Sequence, residues 1–155
     1  DRFMLKVVVG YPDRSEERAI LDAMATSEPA LGVRPIVTVE EIAESRRVVN
    51  RIYVDDRVKD YVVDIVTATR DAGARNLPIA PYIQFGASPR ATISLTLAAK
   101  AWAFLQGRAY VTPLDVKSLA HDVLRHRLVR TYEAEAEGVT TDRIVDAILE
   151  ALPVP

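Results

Sequence analysis

One helix start in this sequence combines a capping residue, a proline and an arginine. Gly86-Ala87-Ser88-Pro89-Arg90-Ala91 predicts a helix with Ser88 as its N-cap and Pro89 as its first residue, which places Arg90 in the first turn. The N–H groups at a helix start carry partial positive charge, so an arginine there is disfavoured unless an anion is shared between them. Phosphate suits this role, because helix N-termini bind it and a guanidinium group binds it through two hydrogen bonds. The alternative is that Arg90 is solvated or pairs with a carboxylate.

The elements that must position this arginine are predominantly helical. Residues 3–9 (FMLKVVV) form a short apolar run, closed by Gly10-Tyr11-Pro12, which predicts a strand covered on both faces. No convincing partner strand follows it, and from Asp13 onward the apolar residues recur with a helical period. We therefore predict an all-α helical bundle preceded by one short β-strand.

Capping residues locate the individual helices. At two of the predicted starts, an acidic residue three positions later completes a capping box: Asp13 with Glu16, and Thr38 with Glu41. The full set of predicted starts is Asp13, Thr38, Asp55, Ser88, Thr112 and either Thr140 or Thr141.

The helix over residues 88–106 is predicted to lie in the centre of the bundle. Its large apolar side chains are distributed almost all the way round the axis: Ile93, Leu95, Leu97, Trp102, Phe104 and Leu105. We expect Trp102 to be among the most buried residues, with Phe104 and Tyr61 also in the core. Replacing a fully buried Trp102 with alanine would cost about 3 to 5 kcal/mol.

The composition excludes several classes of function. The 20 lysines and arginines against 22 aspartates and glutamates leave a net charge of −2, so no overall field attracts nucleic acid or an acidic membrane. There is no cysteine, which excludes disulfides and thiolate chemistry, and no apolar run reaches the roughly 18 residues of a membrane helix. We expect a cytoplasmic protein. The start at Asp1, with an apolar run from the third residue, is expected to be a cut inside a larger protein.

Residues 125–130 form a basic stretch that is a candidate for nucleic-acid binding. It contains three arginines without interleaved aromatic residues, which disfavours nucleic-acid binding and favours contact with another part of the protein or a neighbouring subunit. His121 and His126 are five positions apart and do not share a helix face. We predict that both are structural or solvated and that no metal is bound.

These motifs together resemble the carboxy-terminal part of MoxR-type AAA+ ATPases. The helix start at Ser88-Pro89-Arg90 resembles the sensor-2 motif of that family, and the resemblance covers essentially all 155 residues in order. The other matching motifs are Asp1-Arg2-Phe3, Gly10-Tyr11-Pro12, Val111-Thr112-Pro113-Leu114-Asp115-Val116, Arg125-His126-Arg127 and Tyr132-Glu133-Ala134-Glu135-Ala136-Glu137-Gly138-Val139.

The resemblance implies a division of the chain and a role for two arginines. Residues 1–12 would be the last strand and linker of an αβα nucleotide-binding core, and residues 13–155 its helical lid. Arg90, with Ser88 and Pro89, would contact the phosphates of ATP. Arg2 would be a candidate arginine finger that enters the site of a neighbouring subunit, and the alternative is that it pairs with an acidic residue on the core surface.

The resemblance also implies cofactors and partners of the full-length protein. ATP and Mg²⁺ would bind there, in a hexameric ring formed with the protein's own AAA+ core and neighbouring subunits, together with a von Willebrand factor A domain protein. The function would be chaperone-like remodelling of client complexes, or metal insertion into them. The sequence contains no Gly-rich phosphate-binding loop, so we expect this chain alone to be inactive and to hold no cofactor. The rival hypothesis is a stand-alone helical interaction module without nucleotide function.

Overall fold

The computed structural model describes residues 2–28 and 32–155. Within those residues the chain forms seven α-helices and one small antiparallel sheet, so the predicted all-α class is confirmed. Asp1 and residues 29–31, which belong to the predicted 1–12 and 13–155 divisions, lie outside the described residues. The helices are α1 (Arg14–Met24), α2 (Val39–Arg51), α3 (Asp56–Ala68), α4 (Pro89–Leu105), α5 (Pro113–Leu124), α6 (Tyr132–Ala136) and α7 (Thr141–Ala151). The strands are β1 (Ile83–Phe85), which a 3-10 turn at Ala80–Tyr82 precedes, and β2 (Val129–Arg130).

Local capping explains where the helices begin. The two predicted capping boxes are present at α1 and α2, and a third at α5 joins Thr112 to Asp115. Asp55 caps α3, and Thr140 rather than Thr141 caps α7. Each cap satisfies N–H groups that have no partner inside their own helix, which stabilises the first turn.

The hydrophobic core lies between α3, α4, α5 and α7. Each of these helices contributes side chains with no solvent exposure, among them Ile65, Leu95, Val116, Leu124 and Ile148. Helix α4 packs against α5, α3 and α2, which makes it the central helix as predicted. Helices α1 and α2, by contrast, contain no buried residue. The bundle that positions the site therefore begins at the end of α2.

The strand predicted over residues 3–9 does not form; without neighbouring strands the segment is expected to pack against the bundle, and it does so. The segment forms no strand and runs along α5, where the backbone N–H of Lys6 donates to the carbonyl of Asp122 at 2.8 Å. A strand needs neighbours for its backbone groups, and the described residues offer none at this point. The sheet forms elsewhere, where β1 pairs with β2 in antiparallel orientation.

The prediction that Trp102 is among the most buried residues is wrong. Its side chain is 38% exposed, and Phe104 is only partly buried, whereas Tyr61 lies in the core as predicted. Helix α4 buries a row of small residues instead, including Ala91, Ala99 and Ala103. Small side chains let neighbouring helices approach closely, and most of the large ones, with the exception of Leu95, remain on the outer face. We therefore expect Trp102→Ala to cost less than the 3 to 5 kcal/mol of a fully buried tryptophan.

Leucine-to-alanine changes on the two faces of α4 should differ strongly in their effect on stability. Leu95 is fully buried, whereas Leu105 is 71% exposed. Leu95→Ala should lower the free energy of unfolding by about 2 to 5 kcal/mol, because it leaves a cavity in the core. Leu105→Ala should change it by less than about 1 kcal/mol. Chemical denaturation followed by circular dichroism measures both values, and equal losses would contradict this orientation of α4.

Candidate functional site

The start of α4 is anchored on the end of α3. Thr69, the C-cap residue of α3, is 1% exposed, and its hydroxyl accepts a hydrogen bond from the backbone N–H of Ala87 at 2.9 Å. The same hydroxyl donates to the carbonyl of Val66 at 2.6 Å. Ala87 is fully buried, so the backbone that leads into α4 is fixed against α3 before the helix begins.

Gly86 makes this close approach sterically feasible. A Cβ atom at this position would overlap the carbonyl of Thr69 and would lie 2.7 Å from the Cγ of Arg70. Only glycine therefore lets the chain pass the end of α3 at this distance. Sequence reasoning treated Gly86 as part of the motif without a role of its own. The available signal was a glycine two residues before a helix N-cap.

The predicted helix start at Ser88 is confirmed. Ser88 is the N-cap residue with extended backbone angles, Pro89 is the first helical residue, and Arg90 follows in the first turn with an exposed side chain. Within the part of the chain that the structure describes, the Ser88 hydroxyl makes no capping hydrogen bond, unlike the hydroxyls of Thr112 and Thr140. The first turn of α4 therefore lacks the side-chain cap that the other helices use.

Three arginines converge beside this helix start. Arg2, Arg90 and Arg127 line a pocket of about 260 Å³ together with Ile93 and Ser94. The structure therefore brings Arg2 and Arg90, the two arginines singled out in the sequence, to one place. It adds Arg127, which sequence reasoning had grouped with the basic stretch and had not assigned to a site.

Burial and a neighbouring positive charge both act on Arg127 in this pocket. Arg127 is only 8% exposed, and burial, followed by the nearby positive charge of Arg90, lowers the pKa of its guanidinium group. Both effects disfavour positive charge at this point. Phosphate oxygens have the charge and the acceptor geometry that guanidinium groups bind.

His121 and Arg125 contact carboxylate groups outside the pocket. His121 Nε2 lies 2.8 Å from a carboxylate oxygen of Asp146, which joins α5 to α7. Arg125 donates to Asp122 at 2.7 Å and to Asp142 at 2.9 Å. Among the described residues there is no group of three or more metal-binding side chains, and no helix is both long and apolar enough to span a bilayer.

The motif from Val111 to Val116 stabilises the start of α5 through a buried carboxylate. Asp115 is 3% exposed and accepts hydrogen bonds from the N–H of Thr112 at 2.7 Å and from Arg108 at 2.8 Å. Burial tends to raise the pKa of Asp115, but the hydrogen bonds from Arg108 and Thr112 outweigh it and lower that pKa below its usual value. The carboxylate is therefore charged at neutral pH and holds the start of α5.

Comparison with known proteins identifies relatives of this chain. The family profile described as AAA lid domain matches residues 76–148, which include α4, α5 and the arginine pocket's Arg90 and Arg127. The whole chain is 37% identical to an uncharacterized Bacillus subtilis protein, YeaC, and covers 46% of it. It is 35% identical to Chaperone MoxR1 of Mycobacterium tuberculosis and covers 41% of that protein.

A solved structure gives the same result. The crystal structure of a Cytophaga hutchinsonii protein, described as a candidate ATPase, superposes on 99% of this chain with a TM-score of 0.93 and 36% sequence identity. The chain covers 47% of that protein, so it spans about half the length of the relatives it matches. The helical bundle and these similarities agree: the chain corresponds over its whole length to part of MoxR-type AAA+ relatives, and residues 76–148 match their AAA lid domain.

Proposed function

We propose that this chain acts as the lid of a cytoplasmic AAA+ ATPase and that Arg90 contacts the phosphates of ATP in the full-length protein. The single observation that carries the proposal is the convergence of Arg2, Arg90 and Arg127 at the start of α4. Guanidinium groups that line one pocket fit the charge and the acceptor geometry of a phosphate ligand. Bound ATP with Mg²⁺ would supply the phosphoryl group and its metal, whereas this chain would supply guanidinium groups.

The shared pocket implies that Arg2 and Arg90 act on one nucleotide. Both side chains line the same cavity, so they face a single anion rather than two separate ones. If Arg2 reaches into the site of a neighbouring subunit as an arginine finger, Arg90 reaches into that same site. The two cations would neutralise charge that develops on the transferring phosphoryl group, which is the main way a protein accelerates this reaction.

Loss of the phosphate after hydrolysis would release the lid. Arg90 is at the start of a helix that packs against three others, so a force on its guanidinium group acts on a rigid body. When the anion departs, Arg90 loses its contact with the nucleotide, and the lid can move away from the nucleotide site as a rigid body. This movement would couple hydrolysis to remodelling of a client, or to metal insertion into it.

The partners of the full-length protein follow from the family. We infer a ring of subunits, hexameric in the resemblance, in which the lid contacts its own AAA+ core and a neighbour. A von Willebrand factor A domain protein would be the further partner. The similarity to a protein named as a chaperone supports the chaperone-like role.

One observation favours the alternative of a helical interaction module. An apolar groove of about 500 Å³ lies between α2 and α4, with Met4, Leu97, Trp102 and Leu105 in its lining. Exposed apolar surface of this kind marks a contact with another protein surface. The groove is compatible with both functions, because a lid in a ring also has protein neighbours.

ATP hydrolysis by the full-length protein separates the two functions. We expect phosphate release that depends on Mg²⁺ and ATP from the full-length protein, and none from the 155-residue chain, since no phosphate-binding loop occurs in the chain. A coupled phosphate-release assay on both proteins at equal concentration measures this. A full-length protein without ATP hydrolysis would overturn the ATPase proposal and leave the interaction module.

A further inference from the structure

Three consecutive side chains of the basic stretch bind the backbone of the amino-terminal segment. Arg127 Nη2 donates to the carbonyl of Phe3 at 2.6 Å, and Arg125 Nη1 donates to the carbonyl of Lys6 at 3.1 Å. His126 Nε2 lies 3.2 Å from the same carbonyl of Phe3. We call Arg125, His126 and Arg127 the backbone clamp. These three contacts are with main-chain oxygens, so they do not depend on the side chains of residues 3–6.

Arg127 joins the amino-terminal segment to two helices. Its Nη2 also donates to the hydroxyl of Ser94, which lies one turn after Arg90 on α4, at 3.1 Å. Its Nε donates to the carbonyl of Val123 near the end of α5 at 2.7 Å. Since Arg2 directly precedes Phe3, the contact with Phe3 fixes the position from which Arg2 enters the pocket that Arg90 lines.

Stability alone is a poor reason for an arginine at this position. Burying a cation costs free energy, and burial together with the neighbouring charge of Arg90 lowers the pKa of this guanidinium group. An apolar side chain of similar length would avoid both penalties. A lysine would bind fewer partners, because only the planar guanidinium group donates from Nε and Nη2 in fixed directions.

We propose that Arg127 is a positioning residue, which holds the segment carrying Arg2 against α4 so that Arg2 and Arg90 reach one phosphate together. This inference rests on the proposed ATPase function. Arg127 acts through Arg2 in this proposal and does not itself need to touch the nucleotide. Its removal should therefore matter only while Arg2 is present.

A double-mutant cycle in the full-length protein tests this dependence. We expect Arg127→Gln to lower kcat about 10-fold or more and to change KM by less than about 3-fold, because misplacement of a group by about 1 Å can cost up to 10²-fold in rate. In an Arg2→Ala background, Arg127→Gln should lower kcat by less than about 2-fold further. Arg130→Gln is the matched control, since Arg130 also binds a backbone carbonyl, that of Val139, but not residues 3–6. It should leave kcat within about 2-fold.

The possible results separate failure of the clamp from failure of the ATPase proposal. Equal losses from Arg127→Gln in both backgrounds, or an Arg2→Ala protein with normal kcat, would overturn the positioning role. Normal kcat in an Arg90→Ala protein would instead overturn the proposed function of the pocket. If Arg127→Gln does not fold, Arg127→Lys replaces it in the same cycle. Lysine keeps the positive charge but lacks the planar guanidinium group that donates from Nε and Nη2. The same non-additive pattern is expected, and additive losses would again contradict the proposal.

Discussion

Replacing Arg90 with alanine in the full-length protein should reduce ATP turnover by roughly 10²- to 10³-fold, the loss typical when a preorganised donor to developing charge is removed. Arg90 lies in the first turn of α4 and lines the pocket with Arg2 and Arg127, so its charge is directed to the place where we expect phosphate. Inside a closed site, a charge-assisted hydrogen bond to phosphate is stronger than in water. Steady-state phosphate release measures the loss.

The same substitution should leave folding nearly unchanged. Arg90 is exposed at the positive end of a helix, so its removal should shift the free energy of unfolding by less than about 1 kcal/mol, in the stabilising direction if the helix dipole dominates. Arg57→Ala is a matched control, because Arg57 also lies in the first turn of its helix and is exposed, and it does not line the pocket. Turnover should be normal in that variant.

Two results would show that Arg90 is structural. One is a strongly destabilised protein, measured by chemical denaturation of the 155-residue chain. The other is normal ATP turnover of the full-length Arg90→Ala protein. Arg90→Lys adds an intermediate case, because a lysine keeps the charge but cannot bind phosphate through two parallel hydrogen bonds. Its ATP turnover should lie between that of the wild type and that of Arg90→Ala.

The helix starts could be predicted because capping is local. Asp13 with Glu16, and Thr38 with Glu41, lie within one turn of each other, so the sequence contains all of the interacting groups. The start of α4 could be predicted from the local preference for proline at the first helical position, although Ser88 makes no capping hydrogen bond there. These are the parts of the site that the sequence could predict, and they place Arg90 without knowledge of the tertiary structure.

The burial of Trp102 and the conformation of residues 3–9 depend on partners that periodicity does not identify. Apolar residues surround α4, and the sequence does not show that its alanines rather than Trp102 are buried in the core. Residues 3–9 have a strand-like composition, but a strand forms only where neighbouring backbone is available. In both cases the sequence predicts the tendency and the tertiary contacts decide the outcome.

The role of Arg127 could not be predicted for a related reason. Its partners Phe3 and Met4 lie more than 120 positions away, and the contacts are with their carbonyl oxygens. Every residue has such an oxygen, so no residue type in the amino-terminal segment signals the interaction. The basic stretch itself was visible in the sequence, and its interpretation as a contact with another part of the protein agrees with the structure.

Gly86→Ala should damage both the fold and the site, although the change adds only one methyl group. The new Cβ would overlap the carbonyl of Thr69, and backbone atoms cannot move aside as a flexible side chain does. We expect a loss of about 1 to 3 kcal/mol in the free energy of unfolding, the range for overpacking. Relief of the overlap would shift the start of α4, so Arg90 would be displaced and turnover of the full-length protein should fall by about 10²-fold.

Gly73→Ala provides the control for this substitution. A Cβ atom at Gly73 would meet no atom within 4 Å, so the same chemical change should leave turnover normal and should not destabilise the chain. Chemical denaturation of the chain and phosphate release by the full-length protein give the two values for each variant. If Gly86→Ala matched Gly73→Ala in both assays, the close approach of α4 to the end of α3 would not be what holds Arg90 in place. If Gly86→Ala lost stability but kept full turnover, the packing would be correct and the dependence of the Arg90 site on it would be wrong.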